Sequence, residues 1–198
     1  MLPTDIHTSL KPAEAEALQE LARGQVVLEC GAWLGYSTIV LAQTAVEVHS
    51  VDWHHGDEQS GFLDTLSGYL SNLERYGADR RVVTHVGRFE QVLPKLNART
   101  FDGCFLDGKH DRESVDRDFR MLHRLMRRPA WIAVHDHGLF DVQPAVEAFL
   151  GWSGYRLETV VATLAILRRG RHPARHAAAF VLPTPVKRAL KRALPVLN

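Results

Sequence analysis

Long hydrophobic runs are missing from this 198-residue chain. No stretch of about 18 apolar residues occurs, which argues against a membrane-crossing helix. Cysteine is scarce as well. Cys30 and Cys104 show neither CxxC nor Cys/His spacing, so a zinc site or a disulfide framework is disfavoured and both read as small buried thiols in strands. The first ten residues carry Asp5 and lack the basic start and apolar stretch of a secretory signal, so a reducing cytoplasm is the expected location. Two glycine signatures are absent: the dinucleotide fingerprint G-x-G-x-x-G and the phosphate loop G-x-x-x-x-G-K-[ST]. Acid is absent from one end. From Arg168 onward there are eight Lys and Arg and no Asp or Glu, while residues 1–167 hold 16 basic against 23 acidic side chains. A body with net negative charge is not expected to grip a nucleic-acid backbone by overall charge.

What is present is ordinary for a globular chain. With 45% hydrophobic and 24% charged residues, the length suits one domain with a continuous core. β-rich runs at 26–29, 48–52, 81–86, 101–107 and 131–134 alternate with helical stretches at 38–45, 60–76, 89–96 and 112–127. In the last helix Val115, Phe119, Leu122 and Met126 recur at helical spacing and face a sheet. Gly77 and Arg128-Pro129 read as stop signals, and Asp111 as the cap of the helix that begins at Arg112. A further helix is predicted at 11–23. Segments 155–161 and 164–168, separated by Ala162-Thr163, suit a hairpin. The fold class that follows is α/β: a doubly wound, mostly parallel seven-stranded sheet ending in an antiparallel hairpin, over residues 1–170. Residues 171–198 form a basic tail. There Val186, Leu190 and Leu194 share one side of a predicted amphipathic helix, suited to packing on the body, to a homodimer contact or to an anionic membrane surface.

Residues 27–38 run from a strand through Gly31 and Gly35 into a helix, with Glu29 two positions before the first glycine. Glycine lets the backbone adopt positive φ and approach a ligand closely. An acid at that place repels a pyrophosphate and attracts a cation. Asp52 closes the next strand 23 residues after Glu29.

This segment resembles the first motif, E/D-x-G-x-x-x-G, of class I methyltransferases that use S-adenosylmethionine (SAM). The resemblance implies a Rossmann-like methyltransferase fold in which Glu29, Gly31, Gly35 and Ser37 line the amino-acid end of SAM. It also implies that Asp52 accepts hydrogen bonds from the ribose hydroxyls, that the adjoining Trp53 is among the cofactor-binding residues, and that Gly87, Arg88 and Phe89 lie beside the adenine. The stretch 101–110 (FDGCFLDGKH), followed by Val134-His135-Asp136-His137-Gly138, resembles the F-D-x-x-F-I-D-G-x-H … H-D pattern of one methyltransferase branch. That branch contains macrolide and aminocoumarin sugar O-methyltransferases. The likeness spans roughly residues 24–140. Arg127-Arg128-Pro129 departs from it, standing where the branch has a glycine-rich turn.

Asp107 and Asp136 are expected at neighbouring strand tips, where both carboxylates can converge on one divalent cation. Mg²⁺ is the first expectation. His137, as a third ligand, would favour Mn²⁺ or another borderline ion. Such an ion lowers the pKa of a bound hydroxyl and aims it at the SAM methyl group. In the catechol-type relatives a base occupies the offset at which His110 stands, so His110 is the expected general base and Lys109 the competitor. Asp107 has a second reading, as a partner of the SAM amino group. His54, His55 and His135 read as ordinary loop or packing histidines, although residues 53–57 could form part of an acceptor lid. The expected partner is a small-molecule acceptor, a sugar or natural-product hydroxyl, with no specific nucleic acid.

Other functions remain open at this stage. One is a SAM- or nucleoside-binding accessory protein without turnover. Another is an RNA methyltransferase anchored by the basic tail, although the missing N/D-P-P-Y motif argues against methylation of base amino groups. A nucleotide-dependent oxidoreductase is disfavoured by the absent dinucleotide fingerprint.

Overall fold

The run Val26–Cys30, apolar apart from Glu29, forms β1, enclosed on both faces, as a strand in the middle of a parallel sheet must be. It follows α1 (Pro12–Ala22) and precedes α2 (Tyr36–Ala42), β2 (Glu47–Asp52), α3 (Leu66–Arg75), β3 (Val82–Val86) and α4 (Phe89–Val92). Then come β4 (Phe101–Leu106), α5 (Arg112–Leu125), β5 (Met126–Val134), α6 (Val142–Ser153), β6 (Arg156–Val161) and β7 (Leu164–Arg169). This computed structural model describes residues 1–56, 61–139 and 141–170.

The seven strands form one sheet in the order β3-β2-β1-β4-β5-β7-β6. β1 to β5 are parallel, and β7 runs antiparallel between β5 and β6. The expected fold class is therefore the observed one. Strand order reverses between β1 and β4, so the loops leaving their carboxyl ends diverge and open a crevice there.

Alternation of side chains divides the core. Val27, Phe105, Trp131 and Ala133 point to the face covered by α1, α2 and α3, with Leu18, Ile39 and Tyr69. Leu28, Cys104, Leu106 and Ile132 point to the other, against Phe119 and Leu122 of α5 and Phe149 of α6. Cys30 and Cys104 are free thiols on that second face, buried as expected. Asp111 caps α5, accepting a hydrogen bond from the Ser114 N–H at 2.9 Å.

Some elements differ from the sequence expectation. The helix placed at 60–76 begins only at Leu66, because Gly61 has φ +81 and the Thr65 N–H is committed to the His54 carbonyl. The helix expected to reach Arg127 stops at Leu125. Met126 pairs with Phe101, and the Arg127 guanidinium holds Asp102 at 3.0 Å, so 126–130 extend β5 rather than end a helix. Pro129 donates no hydrogen bond and falls where the β4–β5 register shifts. α6 is a helix that the sequence reading did not place. Val142, Ala145, Val146 and Phe149 bury one helix face, with the Phe149 ring stacked on Phe119 at 4.2 Å.

Among the described residues no helix is long and apolar enough to cross a membrane. The expected amphipathic tail, residues 171–198, and Asp57 of the expected lid lie outside the described residues.

Candidate active site

The glycine turn is built by backbone conformation. Gly31, Trp33 and Gly35 all have positive φ, at 95°, 47° and 86°. The turn also runs hard against the loop after β4. A Cβ at Gly31 would stand 1.9 Å from the Asp107 carbonyl oxygen, and the Asp107 N–H donates to the Cys30 carbonyl at 2.8 Å. Asp52, at the tip of β2, braces the turn from the other side. Its Oδ2 accepts the N–H groups of Ala32 (2.6 Å) and Trp33 (2.9 Å), and its Oδ1 accepts that of His54 (2.6 Å). A carboxylate offers about four acceptor sites, so Oδ1 retains capacity for a hydroxyl.

Beneath the turn Glu29 is fully enclosed. Its Oε2 accepts the hydroxyls of Thr38 (2.5 Å) and Ser50 (2.6 Å), while Oε1 is buried with no hydrogen-bond partner among the described residues. Burial pushes the Glu29 carboxyl up to about 7 against the opposing hydroxyls of Ser37, Ser50 and Thr38. On the β2–β3 side the Arg88 guanidinium lies 5.0 Å from the ring of Trp53, which His55 meets edge-on. Gly87 donates to the Asp52 carbonyl at 2.9 Å, and Phe89 packs against Gly108 of the loop after β4. Glu29 and Asp52 therefore lie in β1 and β2, Gly31, Gly35, Trp53, Gly87 and Arg88 in the turns after β1, β2 and β3, and Ser37 and Phe89 in the first turns of α2 and α4.

The second group sits across the switch point. Asp107, His110 and Asp136 present ligand atoms that all lie within 4.8 Å of one another. His110 Nε2 is 3.1 Å from Asp136 Oδ2 and 3.6 Å from Asp107 Oδ1. The Asp107 carboxylate beside His110 raises the pKa of that imidazole. Asp107 itself is pulled upward by burial and, more strongly, downward by His110 and His135, so it ends below its ordinary value. Asp136 adopts a left-handed conformation with φ +56, of a kind that costs about 1 kcal/mol or more. Its neighbours hold it there. The His135 N–H donates to the Leu106 carbonyl (3.0 Å) and the His137 N–H to the Thr163 carbonyl (2.8 Å).

His137, expected as the third ligand, does not join this group; His110 stands there instead. His137 Nδ1 is buried with no hydrogen-bond partner among the described residues, and burial lowers its pKa. Lys109 flanks His110 on the same loop, partly buried. His54 is the packing histidine it was expected to be, buried and bonded to Thr65 at 3.0 Å. His135 is not. Its ring is enclosed, with Nδ1 3.4 Å from Asp107 Oδ1 and 3.5 Å from Asp136 Oδ1, and Nε2 3.4 Å from Glu14 Oε2. Burial opposes a charge on this imidazole, but Asp107, Glu14 and Asp136 outweigh it and push the pKa up to about 10. Glu14 was missed altogether. In Lys11-Pro12-Ala13-Glu14 it stands where a helix-capping acid stands, and its partner His135 is far away in sequence.

A family profile described as "Methyltransferase domain" matches residues 28–137, more than half of the chain. Several solved structures share the fold. Rv0187 from MTB, crystallised with its cofactor, is 24% identical with a TM-score of 0.67, over 86% of this chain and 84% of its own. TomG from Streptomyces achromogenes, an O-methyltransferase of tomaymycin synthesis crystallised with SAM, is 22% identical with a TM-score of 0.64, over 82% of each chain. The O-methyltransferase NovP is 17% identical with a TM-score of 0.70, over 85% of this chain and 84% of its own. With the profile covering both the glycine turn and the Asp107–Asp136 pair, the chain belongs to this methyltransferase-domain family.

Proposed function

We propose that the protein transfers the methyl group of SAM to a hydroxyl oxygen of a small acceptor, assisted by a divalent cation held at the strand tips. The observation that carries this reading is the convergence of Asp107, His110 and Asp136 across the switch point from the glycine turn. TomG and NovP, which share the fold, are O-methyltransferases, and TomG was crystallised with SAM.

The residues present fit both groups. SAM carries an α-ammonium, and the buried Oε1 of Glu29 is an acceptor without a partner among the described residues. Glu29, Gly31, Gly35 and Ser37 would hold the amino-acid end. Asp52 would accept a ribose hydroxyl, and Trp53, Gly87, Arg88 and Phe89 would surround the adenine. Asp107 and Asp136 offer hard oxygen ligands. His110 adds an imidazole, which favours Mn²⁺ or a similar ion over Mg²⁺. When bound, SAM supplies an electrophilic methyl on sulfur, and the cation supplies Lewis acidity toward a hydroxyl. The protein's own part is to orient the acceptor and move its proton. With the cation on the two aspartates alone, His110 takes that proton. With His110 as third ligand, the task falls to Lys109.

The test combines titration calorimetry with labelled-methyl transfer from SAM onto a panel of sugars and phenols. Asp107→Ala and Asp136→Ala should each cost turnover about a hundredfold or more, while Asp136→Ala keeps its SAM affinity. Full turnover after exhaustive chelation would remove the cation from the mechanism. SAM binding with no transfer to any hydroxyl would favour an accessory binding protein.

A further inference from the structure

We propose that Glu14 is a positioning residue: through His135 it holds Asp107 and Asp136 in the convergent arrangement that receives the cation. The inference rests on the cation-assisted reading above. It adds a residue from α1, which lies outside the segment 28–137 matched by the family profile.

A capping glutamate ordinarily sits at the surface and reaches back to its own N-cap N–H. Glu14 makes that bond, to Lys11 at 2.7 Å, yet it is fully buried. Its Oε1 accepts both the N–H (2.7 Å) and the hydroxyl (2.8 Å) of Thr163, in the turn between β6 and β7. Its Oε2, shared with Lys11, faces His135 Nε2. The same Thr163 accepts the His137 N–H through its carbonyl. Glu14 thus ties the start of α1 to the β6–β7 turn that also holds His137, and its Oε2 lies 3.4 Å from the imidazole.

The consequence runs through the ring. Glu14 Oε2 and the Thr163 hydroxyl, 3.4 and 3.5 Å from Nε2, set the plane of the imidazole and place Nδ1 3.4 Å from Asp107 Oδ1 and 3.5 Å from Asp136 Oδ1. The ring edge thus lies against both carboxylates and limits how each can turn. His135 is 3% exposed, and both of its ring nitrogens face protein carboxylates. Its role, and that of Glu14 behind it, is to orient the side chains that do the binding.

The experiment measures Mn²⁺ binding by the loss of its free electron-paramagnetic signal, and SAM binding by calorimetry. It uses the full chain as wild type, Glu14→Gln, His135→Gln and the double variant. The Mn²⁺ dissociation constant should rise about tenfold in each single variant and no further in the double, because both act on one contact. SAM affinity should stay unchanged. Unchanged Mn²⁺ affinity in Glu14→Gln overturns the proposal, as do parallel losses of SAM and Mn²⁺ affinity or additive effects in the double. If Glu14→Gln does not fold, His135→Gln decides by the same selective loss or its absence. A wild type that binds no Mn²⁺ is a separate outcome: it removes the cation reading itself, and the proposal with it.

Discussion

Glu14 and Glu29 are both fully enclosed, yet their surroundings drive them in opposite directions. Burial raises the pKa of each. At Glu14 the imidazole of His135 and the donors of Lys11 and Thr163 outweigh it and bring the carboxyl down to about 2. At Glu29 three hydroxyls fall short, the nearby charge of Asp52 adds to the burial, and the carboxyl stands at about 7. Peptide N–H groups and an imidazole can hold a buried carboxylate; hydroxyls alone do not. The α1 side of the pocket is therefore completed by the protein's own chain. On the β1 side Glu29 Oε1 has no hydrogen-bond partner among the described residues, which is the acceptor the proposed function assigns to a cationic ligand.

The largest expected effect comes from breaking the joint between the two sides. Gly31 combines φ +95 with an approach so close that an added Cβ would sit 1.9 Å from the backbone oxygen of Asp107. Neither partner is a flexible side chain that can swing away. Gly31→Ala should destabilise the fold by about 3 kcal/mol or more, and SAM and Mn²⁺ binding should fall together. Thermal unfolding and the two titrations check this. A variant with wild-type melting temperature would show that the two strand tips are not locked, and the contrast between the sides would lose its structural basis.

The next effect is one of pH, with opposite signs for the two acids. The folded pKa of Glu29 lies above its unfolded value, so the protein is more stable below about 4.5 and loses that increment as pH rises toward 7. The folded pKa of Glu14 lies below its unfolded value, so its contribution is present above about 4.5 and is lost as pH falls toward 2. Each shift corresponds to roughly 3 kcal/mol at most, on the scale of about 1.4 kcal/mol per pKa unit. Denaturant titrations across pH should therefore diverge. Glu29→Gln should gain on the wild type between pH 4.5 and 7, whereas Glu14→Gln should close on it as pH drops below 4.5. Two profiles that bend the same way would mean the two glutamates share one environment.

The same contrast explains how much of the site is legible in the sequence. Glu29, Gly31, Gly35 and Asp52 act through short-range spacing: a strand, a turn and the next strand tip, all within 24 residues. Asp107 and Asp136 were legible because each follows the end of a strand, and β4 and β5 are parallel neighbours whose tips lie side by side. His135 and Glu14 were not, because their meaning depends on where α1 and the β6–β7 turn pack, and no local pattern encodes that contact. His137, expected as a ligand, lies outside the group formed by Asp107, His110 and Asp136. Its N–H is committed to the Thr163 carbonyl of the β6–β7 turn, another contact that no local spacing shows. α6 was hidden by Pro144 and Gly151, which weaken a helical reading; packing on α5 overrides them.

The smallest prediction compares single hydroxyls. Thr163 donates its hydroxyl to Glu14 at 2.8 Å, and Ser50 donates its own to Glu29 at 2.6 Å. At pH 6 Glu14 is ionised and Glu29 is mostly protonated, given pKa values of about 2 and about 7. A hydrogen bond to a charged group contributes about 2 kcal/mol and one between neutral groups about 1 kcal/mol. Thr163→Val, which keeps the β-branched shape and the 2.7 Å backbone bond to Glu14, should therefore cost about 2 kcal/mol, and Ser50→Ala about half of that. Urea midpoints at constant m-value measure both. Raising the pH to 8 ionises Glu29 and should bring the two costs together, with the cost of Ser50→Ala rising while that of Thr163→Val stays put. Equal costs at pH 6 would place both carboxyls in the same charge state, and the difference between a side completed by its own chain and a side awaiting a ligand would disappear.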